Sequence, residues 1–203
     1  MDRWLLRLGI AAPVLYLGGV IVGSLFYPGY SHATQYASEL GSASAARPEI
    51  FNYGIIAAGV CAVLAGLGFA LVLRTLSKGW LVSSLAGLSI SLWGASMIMG
   101  GMFPMPDERH GGFGLGMAIQ VAPLLVFLAL NGRAQMTGLK TFLLLVLIAS
   151  GALFAIMMGV GGLVHRADVG LWQRAYALSS IPWIAVAALC LDQAMGRRRA
   201  PAA

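Results

Sequence analysis

Residues 51–74 read FNYGIIAAGVCAVLAGLGFALVLR and carry no charged side chain before Arg74. A helix of this length crosses a hydrocarbon core of about 30 Å. Five further stretches have the same character, and only 10% of the chain is charged, against about 25% in a typical soluble domain. The sequence therefore predicts an all-α, polytopic membrane protein. Its six-transmembrane-helix bundle occupies residues 1–203 as a single transmembrane domain, with spans at about 5–26, 51–74, 80–102, 113–131, 141–163 and 172–194.

The distribution of Lys and Arg predicts the orientation, because cytoplasmic loops carry the excess of these residues. Nine lie on one side of the predicted spans and four on the other. We therefore expect a multi-pass protein of the bacterial inner (cytoplasmic) membrane with both termini in the cytoplasm. The net charge of +6 then favours membrane lipids with anionic headgroups as partners and does not indicate nucleic-acid binding. The cytoplasmic set is Arg3, Arg7, Arg74, Lys78, Arg133, Lys140, Arg197, Arg198 and Arg199, and the outer set is Arg47, Arg109, Arg166 and Arg174.

Two predicted spans carry small residues at every fourth position, which lets helix backbones approach closely in lipid. Such rows favour either packing within one subunit or a homo-oligomer formed through the small-residue faces. The rows are Ala58, Ala62, Gly66 and Ala70 in the second span, and Ser83, Gly87, Ser91 and Ala95 in the third.

Prolines interrupt three predicted spans, at Pro13, Pro123 and Pro182. Each frees a backbone carbonyl that neighbouring helices, polar side chains or water must satisfy. Polar groups such as Gln120 and Asn52 lie in the outer half of the predicted bilayer. A cavity open to the outer side explains this pattern, and ordinary helix kinks with hydrogen-bonded side chains explain it equally well.

The three histidines fall in three different loops on the predicted outer side, and each loop also carries a carboxylate. Histidine titrates near neutral pH and is the commonest metal ligand. In the first loop, Ser31 can begin a helix and Gly41 can end it. His32, Gln35 and Glu39 recur between them at helical spacing, so we expect a short amphipathic helix at the membrane interface. Its polar edge is either part of a site or simply solvated.

The second and third outer loops place further polar groups near the membrane. Asp107 and His110 are three residues apart, and a tight hairpin would hold them as an acid–imidazole pair; the alternative is a charged turn. Arg174 lies about one turn inside the sixth span, where a charge is costly unless it is paired or reaches the interface. The carboxylates available to pair with it are Glu39, Asp107 and Asp168.

Many of these residues also occur in the pattern of a known protein family. The chain is similar to a prokaryotic six-helix integral membrane family catalogued as domain of unknown function 998, and the similarity covers nearly its whole length. The resemblance implies a six-helix bundle and supplies no reaction. It rests on Pro28-Gly29-Tyr30-Ser31-His32, Gln35-Tyr36, Ser38-Glu39-Leu40-Gly41, Asn52, Gly54, Phe103-Pro104 with Asp107 and His110, and Gln173-Arg174.

The best functional hypothesis from the sequence is a metal-assisted hydrolase or transferase that acts on a lipid or small amphiphile at the outer leaflet. Three ligands and an open position would let Zn²⁺ activate water. The assigned roles are catalysis for Ser31, Glu39, Asp107 and Arg174; metal binding for His32, His110 and His165; and substrate binding for Tyr30, Gln35, Tyr36, Asn52, Gln120 and Gln173.

Two other classes of function stay open, since the chain has no HExxH or GxSxG motif. One is a non-enzymatic transporter or ligand-binding protein in which Arg174 holds an anionic group. Its copper-binding variant uses a methionine series beside His110, because thioethers favour Cu(I). The other is a membrane assembly scaffold. The methionines concerned are Met97, Met99, Met102 and Met105.

Overall fold

A computed structural model describes residues 2–77 and 79–199, which are helical or in turns and contain no strand. Six segments within these residues are long and apolar enough to cross a membrane, which confirms the predicted all-α membrane fold. The α-helices are α1 (Asp2–Leu25), α2 (Pro48–Leu76), α3 (Trp80–Met102), α4 (Ala122–Ala129), α5 (Thr137–Met157), α6 (Val169–Ser180) and α7 (Trp183–Arg199). Short 3₁₀ helices cover Ala37–Gly41, Glu108–Gln120, Ala134–Met136 and Val160–Gly162.

The fourth span differs from the continuous helix predicted over 113–131. Its first half is a 3₁₀ segment, Glu108–Gln120, in which three consecutive residues have left-handed backbone angles. The second of these, Phe113, is not a glycine. Gly112 lies so close to α3 that an added Cβ would be 2.9 Å from the Cα of Ser96. Glycine permits both the left-handed angle and this approach. We call residues 111–116 the unwound segment.

The prolines act differently in the three spans where they were predicted to interrupt a helix. Pro13 lies inside α1, which continues through it to Leu25. Pro123 lies in the first turn of α4, where its missing N–H costs nothing. Only Pro182 separates two helices, since α6 ends at Ser180 and α7 begins at Trp183.

The small-residue rows of α2 and α3 pack against each other within the chain. A Cβ added at Gly66 would collide with the carbonyl oxygen of Gly87, and one added at Gly87 would collide with that of Gly66. The same contact recurs at Gly59, where an added Cβ would lie 2.6 Å from the carbonyl oxygen of Gly94. The backbones therefore touch along these rows. A homo-oligomer stays a prediction and would need another face.

The two ends of the chain lie at one end of the bundle. Arg3 Nε donates to Asp192 Oδ1 at 2.5 Å, and Arg7 Nη2 donates to Asp192 Oδ2 at 2.9 Å. We call this the terminal end, and the opposite end, formed by residues 26–47, 103–121 and 158–168, the histidine end. Of the residues counted for orientation, Lys78 and the side chains of Arg198 and Arg199 lie outside the described residues.

Candidate functional site

The first loop is held in turns rather than in the predicted helix from Ser31 to Gly41. Only Ala37–Gly41 is helical, as one 3₁₀ segment. Side chains replace the helical hydrogen bonds: the backbone N–H of Ser31 donates to Gln35 Oε1 at 2.9 Å. Gln35 Nε2 in turn donates to Glu39 Oε2 at 3.0 Å.

Two carbonyl groups of this loop, those of Ala33 and Gln35, accept hydrogen bonds from the start of α6. Leu171 N donates to Ala33 O at 3.2 Å, and Arg174 Nη1 donates to Gln35 O at 2.6 Å. Gly170 makes the approach feasible, because an added Cβ there would lie 2.5 Å from His32 O. The loop is therefore docked directly on α6.

Arg174 is the centre of this docking and is half-buried. Besides Gln35 O, its Nη1 reaches Gly170 O at 3.2 Å and Gln173 Oε1 at 3.2 Å. Its Nη2 donates to the hydroxyl of Tyr30, which itself donates to Tyr36 O at 2.9 Å. The Nε of Arg174 is buried and has no hydrogen-bond partner.

The prediction that Arg174 pairs with a carboxylate is wrong for the described residues, since none of their ion pairs includes it. Each expected partner is engaged elsewhere. Glu39 Oε1 accepts from Tyr36 N at 2.8 Å, and Asp168 Oδ1 accepts from His165 N at 2.8 Å. Asp107 pairs with Arg109. The guanidinium is thus hydrogen-bonded only to neutral groups, and among the described residues its charge has no ion-pair partner.

A cavity of about 200 Å³ lies against Arg174 between α1 and α6. Its wall is almost entirely apolar and has polar side chains only near the first loop. His32 stands at this polar end with its ring edge-on to Tyr30, the ring centroids 5.1 Å apart. Burial, and then the charge of Arg174, lower the pKa of His32. The lining residues are Tyr16, Leu17, Val20, Ile21, His32, Ala37, Gln173, Arg174, Ala177 and Leu178. We call this the arginine cavity.

A second cavity, of about 300 Å³, borders the unwound segment and shares three lining residues with the first. We call it the glycine cavity. The sequence left open a cavity on the outer side but did not place one at this segment, because hydropathy treats the fourth span as a helix. The available signal was the run of glycines at 111, 112, 114 and 116. The shared residues are Tyr16, Gln173 and Ala177.

The three histidines are not brought together. His110 Nδ1 lies 3.1 Å from Gly100 O and 3.0 Å from Phe103 O, at the end of α3. His165 is exposed and lines a separate groove with Glu39 and Tyr36. Within residues 2–77 and 79–199, no group of three or more His, Cys, Asp or Glu side chains is placed to hold a metal ion. The predicted three-histidine ligand set is therefore not assembled.

The predicted pair of Asp107 with the His110 imidazole is also absent. Asp107 Oδ2 instead accepts from Arg109 Nη2 at 2.7 Å, and Oδ1 accepts from the Arg109 backbone N–H at 2.9 Å. The Arg109 guanidinium holds the pKa of Asp107 at about 2. Arg109 also stacks on Phe103, 3.8 Å from the ring centroid. This loop is the charged turn that the sequence left as the alternative.

Of the residues assigned to substrate, only Gln173 lines the two cavities; Tyr30, Gln35, Tyr36, Asn52 and Gln120 line neither. Asn52 Nδ2 donates to Gly41 O at 3.0 Å and fixes the end of the first loop on α2, while its Oδ1 is buried without a partner. Both amide atoms of Gln120 are buried without a partner, and Gln120 lines neither cavity. In contrast, Gln173 belongs to the site: its Oε1 accepts from Ala37 N at 2.7 Å.

A family model described as "Protein of unknown function (DUF998)" matches residues 10–190. The chain belongs to the DUF998 family. The match confirms the resemblance found in the sequence and spans the first loop, both cavities and Arg174. Comparison with curated proteins and with solved structures gave no match. For this DUF998 protein, function must therefore be argued from the arginine cavity itself.

Proposed function

We propose that this DUF998 protein binds an anionic amphiphile at the outer leaflet of the bacterial cytoplasmic membrane, as a binding protein or transporter. The anionic group lies against Arg174, and the apolar part of the ligand occupies the arginine cavity. The nine-to-four distribution of Lys and Arg supports the outward orientation of this site.

The uncompensated charge of Arg174 is the observation that carries the proposal. A cation at membrane depth is costly unless it is paired, and the Nε of Arg174 is a buried donor without a partner. Guanidinium groups bind phosphate and carboxylate through charge-assisted hydrogen bonds. An anion in the cavity beside Arg174 would supply the missing countercharge.

The rest of the cavity suits the apolar part of an amphiphile. Its walls come from aliphatic residues of α1 and α6. Two of them, Ile21 and Leu178, are 60% and 58% exposed and therefore lie at the surface that would face lipid. A ligand could thus enter sideways from the membrane, with its charged group at the histidine end.

The metal-assisted hydrolase or transferase hypothesis has less support from the described geometry. It requires His32, His110 and His165 around one ion, whereas His110 faces carbonyl oxygens of α3 and His165 is exposed on a separate groove. Of the carboxylates assigned to catalysis, Glu39 is hydrogen-bonded within the first loop and Asp107 pairs with Arg109. We therefore favour the binding function.

Lipid binding to the purified protein tests the proposal. Native mass spectrometry and thermal melting would follow added anionic, zwitterionic and uncharged lipids. We expect Arg174→Gln to weaken binding of anionic lipid at least tenfold, because a hydrogen bond to a charged group contributes about 1.5–3 kcal/mol. Arg166→Gln is the matched control, since Arg166 is exposed at the same end and does not line the cavity.

A second variant separates lost binding from lost folding, because Arg174 also holds the first loop. Leu178→Trp fills the cavity from its exposed rim and leaves the contacts of Arg174 intact. We expect it to melt like the parent and to bind anionic lipid weakly. Parent protein that binds no anionic amphiphile, or cavity variants that bind it as the parent does, would overturn the proposal.

A further inference from the structure

The glycine cavity shares three lining residues with the proposed amphiphile site. These shared residues are Tyr16, Gln173 and Ala177. A ligand that occupies both cavities would therefore contact these three side chains. The chemistry of that second cavity then limits what the headgroup can be.

The wall of the glycine cavity combines aromatic rings with uncharged hydrogen-bonding groups. Ser96 and Ser180 contribute hydroxyls, and no described lining residue is a carboxylate or a cation. A headgroup amine would thus find no counter-charge there, whereas a hydroxyl group can both donate and accept. The aromatic residues of the wall are Tyr16, Trp93, Phe154 and Tyr176.

Two donors at the shared wall are unused. Among the described residues, the Tyr16 hydroxyl has no hydrogen-bond partner, and neither has Gln173 Nε2, although Gln173 Oε1 accepts from Ala37 and Arg174. Neither atom is among the fully buried polar atoms that lack a partner, so each keeps some accessible surface. Both therefore stay available to a ligand that passes from one cavity to the other.

The unwound segment makes the room for such a group. Gly111, Gly114 and Gly116 line the cavity with backbone and bring no side chain into it. Gly114 has a φ of +79°, and a Cβ added there would meet nothing within 4 Å. Irregular backbone at membrane depth is tolerated where it is buried in protein or lines a cavity. The unwound segment thus forms part of the cavity wall.

We infer that the headgroup is a phosphate ester of a polyol, as in the phosphoglycerol lipids. The phosphate lies against Arg174, and the polyol hydroxyls lie in the glycine cavity beside Tyr16 and Gln173. This inference rests on the proposed function and specifies its ligand. It predicts discrimination against lipids that have the same phosphate but no hydroxyls, or that carry an amine.

Competition among lipids of one acyl composition tests the inference by native mass spectrometry. The probes are phosphatidylglycerol, phosphatidic acid and phosphatidylcholine in detergent, together with soluble glycerol phosphate. We expect phosphatidylglycerol to bind about 25-fold more tightly than phosphatidic acid, since each of the two hydrogen bonds, from Tyr16 and from Gln173 Nε2, contributes about fivefold. Tyr16→Phe should lower this preference about fivefold and keep the affinity for phosphatidic acid. Tyr53→Phe is the control, because Tyr53 is 70% exposed on α2.

The outcomes separate the inference from the proposed function. Equal binding of phosphatidylglycerol and phosphatidic acid by the parent, or a preference that Tyr16→Phe leaves unchanged, overturns the inference and leaves the proposed function standing. Absence of binding by any anionic lipid overturns both. Glycerol phosphate that binds as tightly as the lipid would show a site for soluble phosphate esters and would overturn the assignment to a lipid.

Discussion

Replacing Gly170 by alanine should detach the first loop from α6 and disable the site. A Cβ at this position would lie 2.5 Å from His32 O and 2.6 Å from Gln35 O. Both neighbours are backbone atoms, so no side-chain rotation relieves the clash, and the loop must withdraw by about 1 Å to regain ordinary contact. That movement stretches the hydrogen bonds of Gln35 O with Arg174 and of Ala33 O with Leu171.

The cost follows from those two hydrogen bonds. The charged bond from Arg174 contributes about 1.5–3 kcal/mol and the neutral bond about 0.5–1.5 kcal/mol. Alanine in place of glycine within a helix recovers roughly 0.5–1 kcal/mol. We therefore expect a net loss of about 1–4 kcal/mol in the free energy of unfolding, together with weaker binding of anionic lipid.

Unfolding of the purified variants in mixed micelles, followed by circular dichroism, measures this loss. Gly151→Ala in α5 is the matched control, because a Cβ added there meets nothing within 4 Å. It should be neutral or slightly stabilising. If Gly170→Ala unfolds like Gly151→Ala and binds lipid like the parent, the first loop is not docked on α6. The proposed binding site around Arg174 would then be refuted as well.

Three further predictions concern packing, protonation and orientation. Gly59→Leu should destabilise the fold by several kcal/mol, because its Cβ would meet the backbone of α3 at 2.6 Å, and unfolding of the equally sized Gly138→Leu is the comparison. In the folded protein the pKa of His32 is lowered from 6.5, so folding favours the neutral imidazole. The contribution of His32 to stability should therefore be complete above about pH 6.5 and be lost as the pH falls through the lower folded pKa. His32→Asn should flatten this part of a stability–pH curve, and a curve that keeps its slope would refute the burial of the ring. Single cysteines at 43 and 167, in a background without the two native cysteines, should react with an impermeant thiol reagent in intact cells, whereas one at 135 should not; the reverse pattern would invert the orientation.

The fold was largely predictable because, in a membrane protein, the length of each apolar stretch gives the length of the membrane-spanning helix. The second and third spans, predicted as 51–74 and 80–102, correspond to α2 and α3 within a few residues. The fourth span was predicted at the right place, since Glu108–Ala129 is long and apolar enough to cross a membrane, but its backbone was not predicted. Hydropathy carries no information about φ, so it does not show the left-handed angles at Gly112, Phe113 and Gly114.

The site was predictable as a set of residues and not as a set of pairs. Arg174, Gln173, Tyr30 and Gln35 were all singled out from the sequence, and hydrogen bonds join them in the fold. Their partners were wrong because the expected counter-ion was a carboxylate, whereas a docked loop can satisfy a guanidinium with its own carbonyl oxygens. Carbonyls satisfy donors without neutralising charge. Arg174 therefore keeps a charge with which an anion can pair. This follows from the packing of the first loop on α6, which the sequence does not show.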